Sequence, residues 1–118
     1  MALHNELGKY GEELGKLFFT ERQFNILYVN WKYSYYEIDI IASKDQVLHF
    51  VEVKTRKSDR FGLPEESVDG KKLKKLMNAA EAFLYKYPEW KRVQYDILSI
   101  SFKAGNKPEF FFIEDVFL

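Results

Sequence analysis

Two neighbouring apolar segments of the chain carry charged residues where a strand would normally bury a hydrophobic side chain. Both segments are rich in β-branched residues, and the short turn 43–46 joins them, so they predict two strands of a hairpin. Because side chains alternate across a strand, Glu37 and Asp39 share one face of the first strand. Glu52 and Lys54 share one face of the second strand for the same reason. Buried charges are costly unless they pair or bind a metal ion, so the hairpin is the best candidate for a functional site.

Helical and strand patterns along the rest of the chain predict the order αβββαββ, an α/β fold in which helices flank a mixed sheet. The first helix is predicted to begin at the cap Asn5 and to end near Glu21, and the second to run from the cap Asp69 to the helix-stopping Pro88. The predicted strands are 24–33, 37–43, 47–56, 93–102 and 110–118, with a loop at 58–67 and a turn at 104–108. Glycines at positions 8, 11 and 15 predict close approach of a neighbouring element to one flank of the first helix.

Length and composition limit the classes of protein that the chain can represent. Its 118 residues predict a single domain, 1–118, and 47% hydrophobic residues exclude a disordered chain. The absence of cysteine excludes disulfides and thiolate metal sites and fits a reducing cytoplasm. We find neither a signal-peptide pattern nor an apolar run long enough to cross a membrane. The 18 basic and 18 acidic residues argue against a protein that coats nucleic acid by bulk charge.

The charged residues of the hairpin suit phosphodiester hydrolysis. A divalent metal such as Mg²⁺ or Mn²⁺ activates water and neutralises phosphate charge, and it prefers oxygen ligands. Asp39 and Glu52 would supply two ligands and the carbonyl of Val53 a third, while Lys54 would orient the attacking water or stabilise the developing oxyanion. Glu12 of the first helix would complete the acidic cluster or bind a second ion. Taken alone, Glu-x-Lys is also typical of a salt bridge at a sheet edge.

Asp39 followed after a strand and a turn by Glu52-Val53-Lys54 is the Asp…Glu-x-Lys pattern of the PD-(D/E)xK nuclease superfamily. Further motifs resemble the YraN family of small bacterial proteins, which are predicted to be endonuclease-like. The matching motifs are His4-Asn5-x-Leu7-Gly8-x-x-Gly11-Glu12, Ile26-Leu27-x-x-Asn30-Trp31, Glu37-Ile38-Asp39-Ile40-Ile41-Ala42 and Phe50-Val51-Glu52-Val53-Lys54-Thr55-Arg56.

This resemblance implies a restriction-endonuclease-like fold, similar to that of archaeal Holliday junction resolvases. It also implies a site made of Glu12, Asp39, Glu52 and Lys54, with Glu37 as an accessory family position. One residue departs from the family pattern. Tyr36 stands where the family usually has glycine, which adds bulk near the substrate entrance.

Basic residues on two segments are candidates for phosphate contact. Lys71, Lys72, Lys74 and Lys75 open the second helix, where they form either a phosphate-binding surface or a solvated helix face. Lys72 is the strongest candidate because it borders the apolar stripe and matches a family lysine. Helical geometry predicts that Lys71 and Lys75 lie opposite that stripe. Arg56, Lys57 and Arg60 follow the third strand and are predicted to hold the nucleic-acid backbone near the metal.

Aromatic residues and a histidine leave further alternatives open. Trp31, Tyr33, Tyr35 and Tyr36 predict either a platform for stacked bases or the packed end of a hairpin. His49 alternates away from Glu52 and is expected to be a core or second-face histidine. The apolar segment 110–113 is either covered within the monomer or forms a homodimer surface.

Together these features predict a metal-dependent nuclease that acts on branched or otherwise structured DNA. The alternative is a nucleic-acid-binding or partner-binding module that retains the nuclease fold without cleaving. A purely structural interaction protein would leave the buried charges unexplained.

Overall fold

The computed structural model describes residues 2–57, 70–103, 105 and 107–116, and it contains two helices and five strands in these ranges. The elements are α1 (Ala2–Glu21), β1 (Asn25–Tyr33), β2 (Tyr36–Lys44), β3 (Val47–Arg56), α2 (Gly70–Lys86), β4 (Val93–Ser101) and β5 (Glu109–Ile113). The predicted order αβββαββ is therefore confirmed. The predicted loop 58–67 and the cap Asp69 lie outside the described residues.

All five strands form one sheet in the order β1-β2-β3-β4-β5. Strands β3 and β4 are parallel, as expected for two strands joined through α2, and the other neighbours are antiparallel. An apolar cluster lies on each face: Phe83 of α2 packs against Phe50 on one side, and Phe19 of α1 packs with Val51 on the other. The predicted mixed sheet flanked by helices is thus confirmed. None of the described helices is long and apolar enough to span a membrane.

Two predicted boundaries differ from the structure by more than two residues. Helix α1 begins at Ala2 rather than at Asn5, because Ala2 and Leu3 are good helix formers that extend the helix beyond the expected cap. Strand β5 ends at Ile113 instead of continuing to residue 118. Soon after that end the backbone of Asp115 has a φ of 58°, which is incompatible with an extended strand.

The last strand is covered on one face within the monomer. Phe110 stacks on Phe18 of α1 with ring centroids 5.3 Å apart, and Phe112 meets Phe19 edge to face at 5.2 Å. Phe111 faces the other way and is 41% exposed. Phe110 and Phe112 are therefore covered inside the monomer, and the homodimer stays a prediction.

The glycines of α1 differ in what surrounds them. A Cβ atom at Gly11 would overlap Thr55 Cγ2 of β3, and one at Gly15 would lie 3.2 Å from Ile40 Cδ1. At Gly8 no atom of the described residues lies within 4 Å of that position. The predicted close approach is confirmed at Gly11 and Gly15 and is wrong at Gly8. Gly11 therefore sets how closely the helix that carries Glu12 packs on β3.

Alanine at Gly11 and alanine at Gly8 are expected to have opposite effects on stability. Gly11→Ala should lower the free energy of unfolding by about 1–3 kcal/mol, because the stiff β-branched Thr55 must shift. Gly8→Ala should raise it by about 0.5–1 kcal/mol, because alanine favours the helix and meets no neighbour. Urea unfolding of both variants tests this, and an equal change in both would show that α1 does not pack closely at Gly11.

Candidate active site

A pocket of about 270 Å³ opens on the α2 side of the sheet, between the β1–β2 hairpin, β3 and the first turns of α2. Its walls combine carboxylates, lysines and tyrosines. The residues that line it are Tyr35, Tyr36, Glu37, Asp39, Glu52, Lys72, Lys75 and Leu76. The fold therefore brings Asp39, Glu52 and Lys72, which are far apart in sequence, to a single pocket.

Asp39 lies where β2 and β3 separate. The paired register of the two strands ends at Ile40 opposite Val51. Ile38 packs on the α2 side of the sheet and Ile40 on the α1 side, so side-chain alternation is interrupted at Asp39. The backbone N–H of Val53 donates a 2.7 Å hydrogen bond to Asp39 Oδ2. In a regular antiparallel ladder this N–H would donate to a backbone carbonyl of the neighbouring strand. Here it donates to the Asp39 carboxylate instead.

The surroundings of Asp39 raise its pKa to about 7. Burial is the largest cause, because it disfavours the charged carboxylate. The hydrogen bond from Val53 opposes this shift, while the nearby charges of Glu52, Glu37 and Glu12 add to it. Asp39 is therefore a carboxylate that a nearby cation would stabilise strongly.

Glu52 lies on the next strand with its side chain on the α2 side. Its Oε1 atom is 3.5 Å from Lys54 Nζ, and the two side chains are 20% and 19% exposed. The Oε2 atom is buried and accepts no hydrogen bond from the described residues. Buried carboxylate oxygens normally have a hydrogen-bond or metal partner. Glu52 consequently carries one oxygen suited to a cation in the pocket.

The side chain of Lys54 lies between Glu52 of β3 and Lys72 of α2. Burial lowers the pKa of Lys54, and the adjacent side chain of Lys72 lowers it further, whereas Glu52 acts in the opposite direction. Two amines placed this close repel each other when both are charged. Lys54 can therefore exchange a proton more readily than an exposed lysine, which suits a residue beside a reacting water.

Glu12 approaches the same region from α1. Its Oε2 atom accepts a 3.1 Å hydrogen bond from Asn30 Nδ2. Of the three acidic side chains that raise the pKa of Asp39, Glu12 has the smallest effect. Glu12 does not itself line the pocket. Asn30 has a φ of 54°, a conformation that asparagine tolerates better than most residues.

Asn30 contacts the predicted site residue Glu12, although the sequence patterns give it no role beyond its place in a family motif. It lies in β1 between Val29, which is opposite Ile40, and Trp31, which is opposite Ile38, and so sits across from Asp39. The available signal was a polar residue inside an apolar strand. The contact between Asn30 and Glu12 could not be predicted from this signal, because it depends on α1 packing over β1 at this point.

The acids present fit a hard divalent cation that keeps several waters. Within the described ranges, no group of three or more His, Asp or Glu side chains is close enough to hold a metal ion unaided. Asp39 and Glu52 form a pair at one pocket, and Mg²⁺ commonly binds through one or two carboxylates with water completing its octahedron. The carbonyl of Val53 as a third ligand stays a prediction, as does a ligand role for Glu12.

The predicted basic residues separate into two groups. Lys72 and Lys75 line the pocket, whereas Lys71, Arg56 and Lys57 do not. Lys75 lines the pocket together with Lys72, because a spacing of three residues puts both on one flank of α2. Arg56 is the last residue of β3 and Lys57 follows it, and Arg60 lies outside the described residues.

Glu37 and Tyr36 form the hairpin side of the pocket. Glu37 is 3.7 Å from Lys32 on β1, so part of its charge is compensated within the hairpin. Tyr36 packs against the apolar cluster under α2, and its hydroxyl is 3.5 Å from Asn78 Nδ2. In the turn of this hairpin Ser34 has a positive φ of 56°, whereas Tyr36 does not have a positive φ. Tyr36 therefore lines the pocket while its backbone keeps an ordinary strand conformation.

His49 is confirmed as a histidine of the opposite face. Its ring meets Phe24 edge to face at 4.9 Å, and its Nδ1 atom is 2.6 Å from Asp96 Oδ2. Asp96 also accepts hydrogen bonds from the Asp115 N–H and from Gln94 Nε2. This buried network joins β3, β4 and the segment after β5, so it holds the sheet together away from the pocket.

A five-stranded mixed sheet between two helices, with an acidic pocket where β2 and β3 separate, is the α/β architecture of the restriction-endonuclease-like fold. A model of the Uncharacterised protein family UPF0102 matches residues 11–100. The chain belongs to this family, which is the YraN family that its motifs resemble.

Relatives in the family cover nearly the whole chain. A UPF0102 protein of Bacteroides thetaiotaomicron is 40% identical over 106 residues, which is 90% of this chain and 88% of the relative. A UPF0102 protein of Flavobacterium psychrophilum is 37% identical over 99% of this chain and 98% of its own length. One from Dictyoglomus thermophilum is 40% identical over 88% of this chain and 89% of the relative.

Proposed function

We propose that the protein is a metal-dependent nuclease that hydrolyses phosphodiester bonds in branched or otherwise structured DNA. The observation that carries the proposal is the pairing of Asp39 and Glu52 in one pocket beside lysines. Asp39 has a raised pKa, and Glu52 has a buried oxygen that accepts no hydrogen bond from the described residues. Burial of both acids costs stability unless a cation shares the site, so their arrangement favours a metal centre.

Each residue of the site has a role that its position supports. Asp39 and Glu52 would hold Mg²⁺ or Mn²⁺, which supplies positive charge for the phosphate and lowers the pKa of a bound water. Lys54, partly buried beside Glu52, would orient the attacking water or stabilise the developing negative charge. Asn30 holds Glu12 near Asp39 by its 3.1 Å hydrogen bond.

Lysines on α2 would bind the substrate. Lys72 and Lys75 form the wall of the pocket that faces the carboxylates, where they would contact phosphates on either side of the reacting one. This local separation of charge suits a protein whose net charge is zero. The acids would bind metal while the lysines bind the DNA backbone.

A non-catalytic binding module is the competing function. A module that only binds nucleic acid gains nothing from two carboxylates that face the phosphates, because like charges repel. The alternative nevertheless predicts a distinct result: binding of DNA without metal-dependent cleavage.

A cleavage assay on labelled branched, flapped, single-stranded and duplex DNA tests the proposal. In Mg²⁺ or Mn²⁺ the native protein should cleave at least one branched or flapped substrate. Asp39→Asn should lower the rate by about 10²–10³-fold, because it removes a charged ligand of the metal ion that would stabilise the developing charge.

The matched control is Asp45→Asn, which removes a carboxylate from the exposed β2–β3 turn and should leave the rate unchanged. Equal cleavage by the Asp39→Asn protein would contradict the assignment. Binding without cleavage by the native protein would favour the non-catalytic module.

A further inference from the structure

The β1–β2 hairpin presents an aromatic residue to solvent at its tip. Tyr33 pairs with Tyr36, so Ser34 and Tyr35 form a two-residue turn. The positive φ falls on Ser34 alone, as in a type II′ turn, whose first position favours glycine. Tyr35 is 97% exposed, although small and polar residues are the usual occupants of turns. The ring therefore contributes almost nothing to the core.

Tyr35 lies at the rim of the acidic pocket. It lines the same cavity as Asp39 and Glu52, and Lys72 and Lys75 belong to that cavity from the side of α2. A nucleic-acid strand whose phosphate occupies this pocket would place its adjacent bases beside the hairpin tip. Charge complementarity between lysines and phosphates thus points to a nucleotide as the group that meets Tyr35.

The neighbouring aromatic residues make this end of the hairpin rigid. Trp31 is fixed on the sheet by an edge contact with Phe83 of α2, with centroids 5.3 Å apart. Tyr33 is parallel to Trp31 within 7° and is itself 55% exposed. Trp31 and Tyr36 are therefore packed, whereas Tyr33 and Tyr35 are exposed. A rigid support lowers the entropy cost of binding a base against an exposed ring.

We propose that Tyr35 stacks on an unpaired base next to the scissile phosphate and so directs the protein to DNA with unpaired nucleotides. This inference rests on the proposed function, because it assumes that a DNA phosphate occupies the pocket. Aromatic side chains stack on any base whose face is open. In a continuous duplex both faces of each base are already stacked, so Tyr35 would gain no such contact there.

Binding of two labelled substrates in Ca²⁺, without cleavage, tests the inference. One is a duplex with a short single-stranded flap, and the other is a blunt duplex of the same sequence. Tyr35→Ala should weaken binding of the flapped DNA by about 5- to 100-fold, as expected for the loss of one base–aromatic stack. Binding of the blunt duplex should not change.

Two control variants separate stacking from other effects. Tyr35→Phe keeps the ring and should bind flapped DNA as the native protein does. Tyr85→Ala removes a tyrosine that is 92% exposed on α2 and does not line the pocket, and it should leave both affinities unchanged. Equal weakening of both substrates by Tyr35→Ala, or no weakening, would overturn the inference.

A spectroscopic measurement identifies the contact itself. A 2-aminopurine placed at the first unpaired position should lose fluorescence on binding the native and Tyr35→Phe proteins, but not on binding Tyr35→Ala. Unchanged quenching by Tyr35→Ala would also overturn the inference. The proposed function is tested separately, because loss of cleavage in Asp39→Asn does not depend on which base Tyr35 contacts.

Discussion

Replacing Asp39 by asparagine is expected to make the metal-free protein more stable at pH 8 while leaving its stability near pH 4 almost unchanged. The pKa of Asp39 rises from 3.8 to about 7 in the folded protein. The folded state therefore binds this proton more tightly than the unfolded state, and the resulting stability is fully present below about pH 4. It is lost progressively as the pH rises through about 7.

The asparagine side chain cannot ionise, so the Asp39→Asn variant avoids this loss and should exceed the native protein by on the order of 2–4 kcal/mol at pH 8. Urea unfolding between pH 4 and pH 8 in a chelator measures the difference. Asp45→Asn gives the effect of removing an exposed carboxylate from the turn. A constant difference between native and Asp39→Asn proteins at every pH would show that burial does not penalise the Asp39 charge.

Replacing Asp96 by alanine is expected to give the largest loss of stability among these variants. Asp96 is fully buried, lies 2.6 Å from His49 Nδ1 and accepts the backbone N–H of Asp115 at 2.9 Å. Alanine would leave a buried imidazole and a backbone donor without their acceptor. The expected loss is about 2–6 kcal/mol in the free energy of unfolding, because each of these two buried groups costs about 1–3 kcal/mol when it loses its acceptor.

Thermal or urea unfolding measures this loss, and Glu114→Ala is the matched control. Glu114 accepts a hydrogen bond from Gln94 at an exposed position, so its removal should cost less than about 1 kcal/mol. An Asp96→Ala protein as stable as the Glu114→Ala protein would show that the His49–Asp96 pair contributes little to stability.

Much of the fold could be predicted from local patterns. The alternation in β3 correctly placed Glu52 on one face and His49 on the other, since β3 is paired along its length with β4. The apolar stripe of α2 and the stop at Pro88 predicted the second helix, which ends at Lys86. These features depend on residues close together in sequence, so they are readable without knowledge of tertiary contacts.

The details of the site depend on contacts that local patterns do not contain. Strict alternation does not hold at Asp39, because β2 and β3 separate there and Val53 donates to the carboxylate. Asn30 reaches Glu12 only because α1 crosses β1. Lys75 lines the pocket because of the way α2 lies on the sheet. Each of these arrangements is set by packing between elements that are distant in the chain.

Direct titration of the metal-free protein with Mn²⁺ by calorimetry is the measurement that most sharply tests whether Asp39 and Glu52 share a cation. The native and Asp45→Asn proteins should both give a saturable binding signal. Glu52→Gln and Asp39→Asn, checked for native circular dichroism, should lose that signal, because each removes a charged oxygen ligand from the pocket. Unchanged Mn²⁺ binding by folded Glu52→Gln and Asp39→Asn proteins would contradict the assignment of this pocket as a metal site.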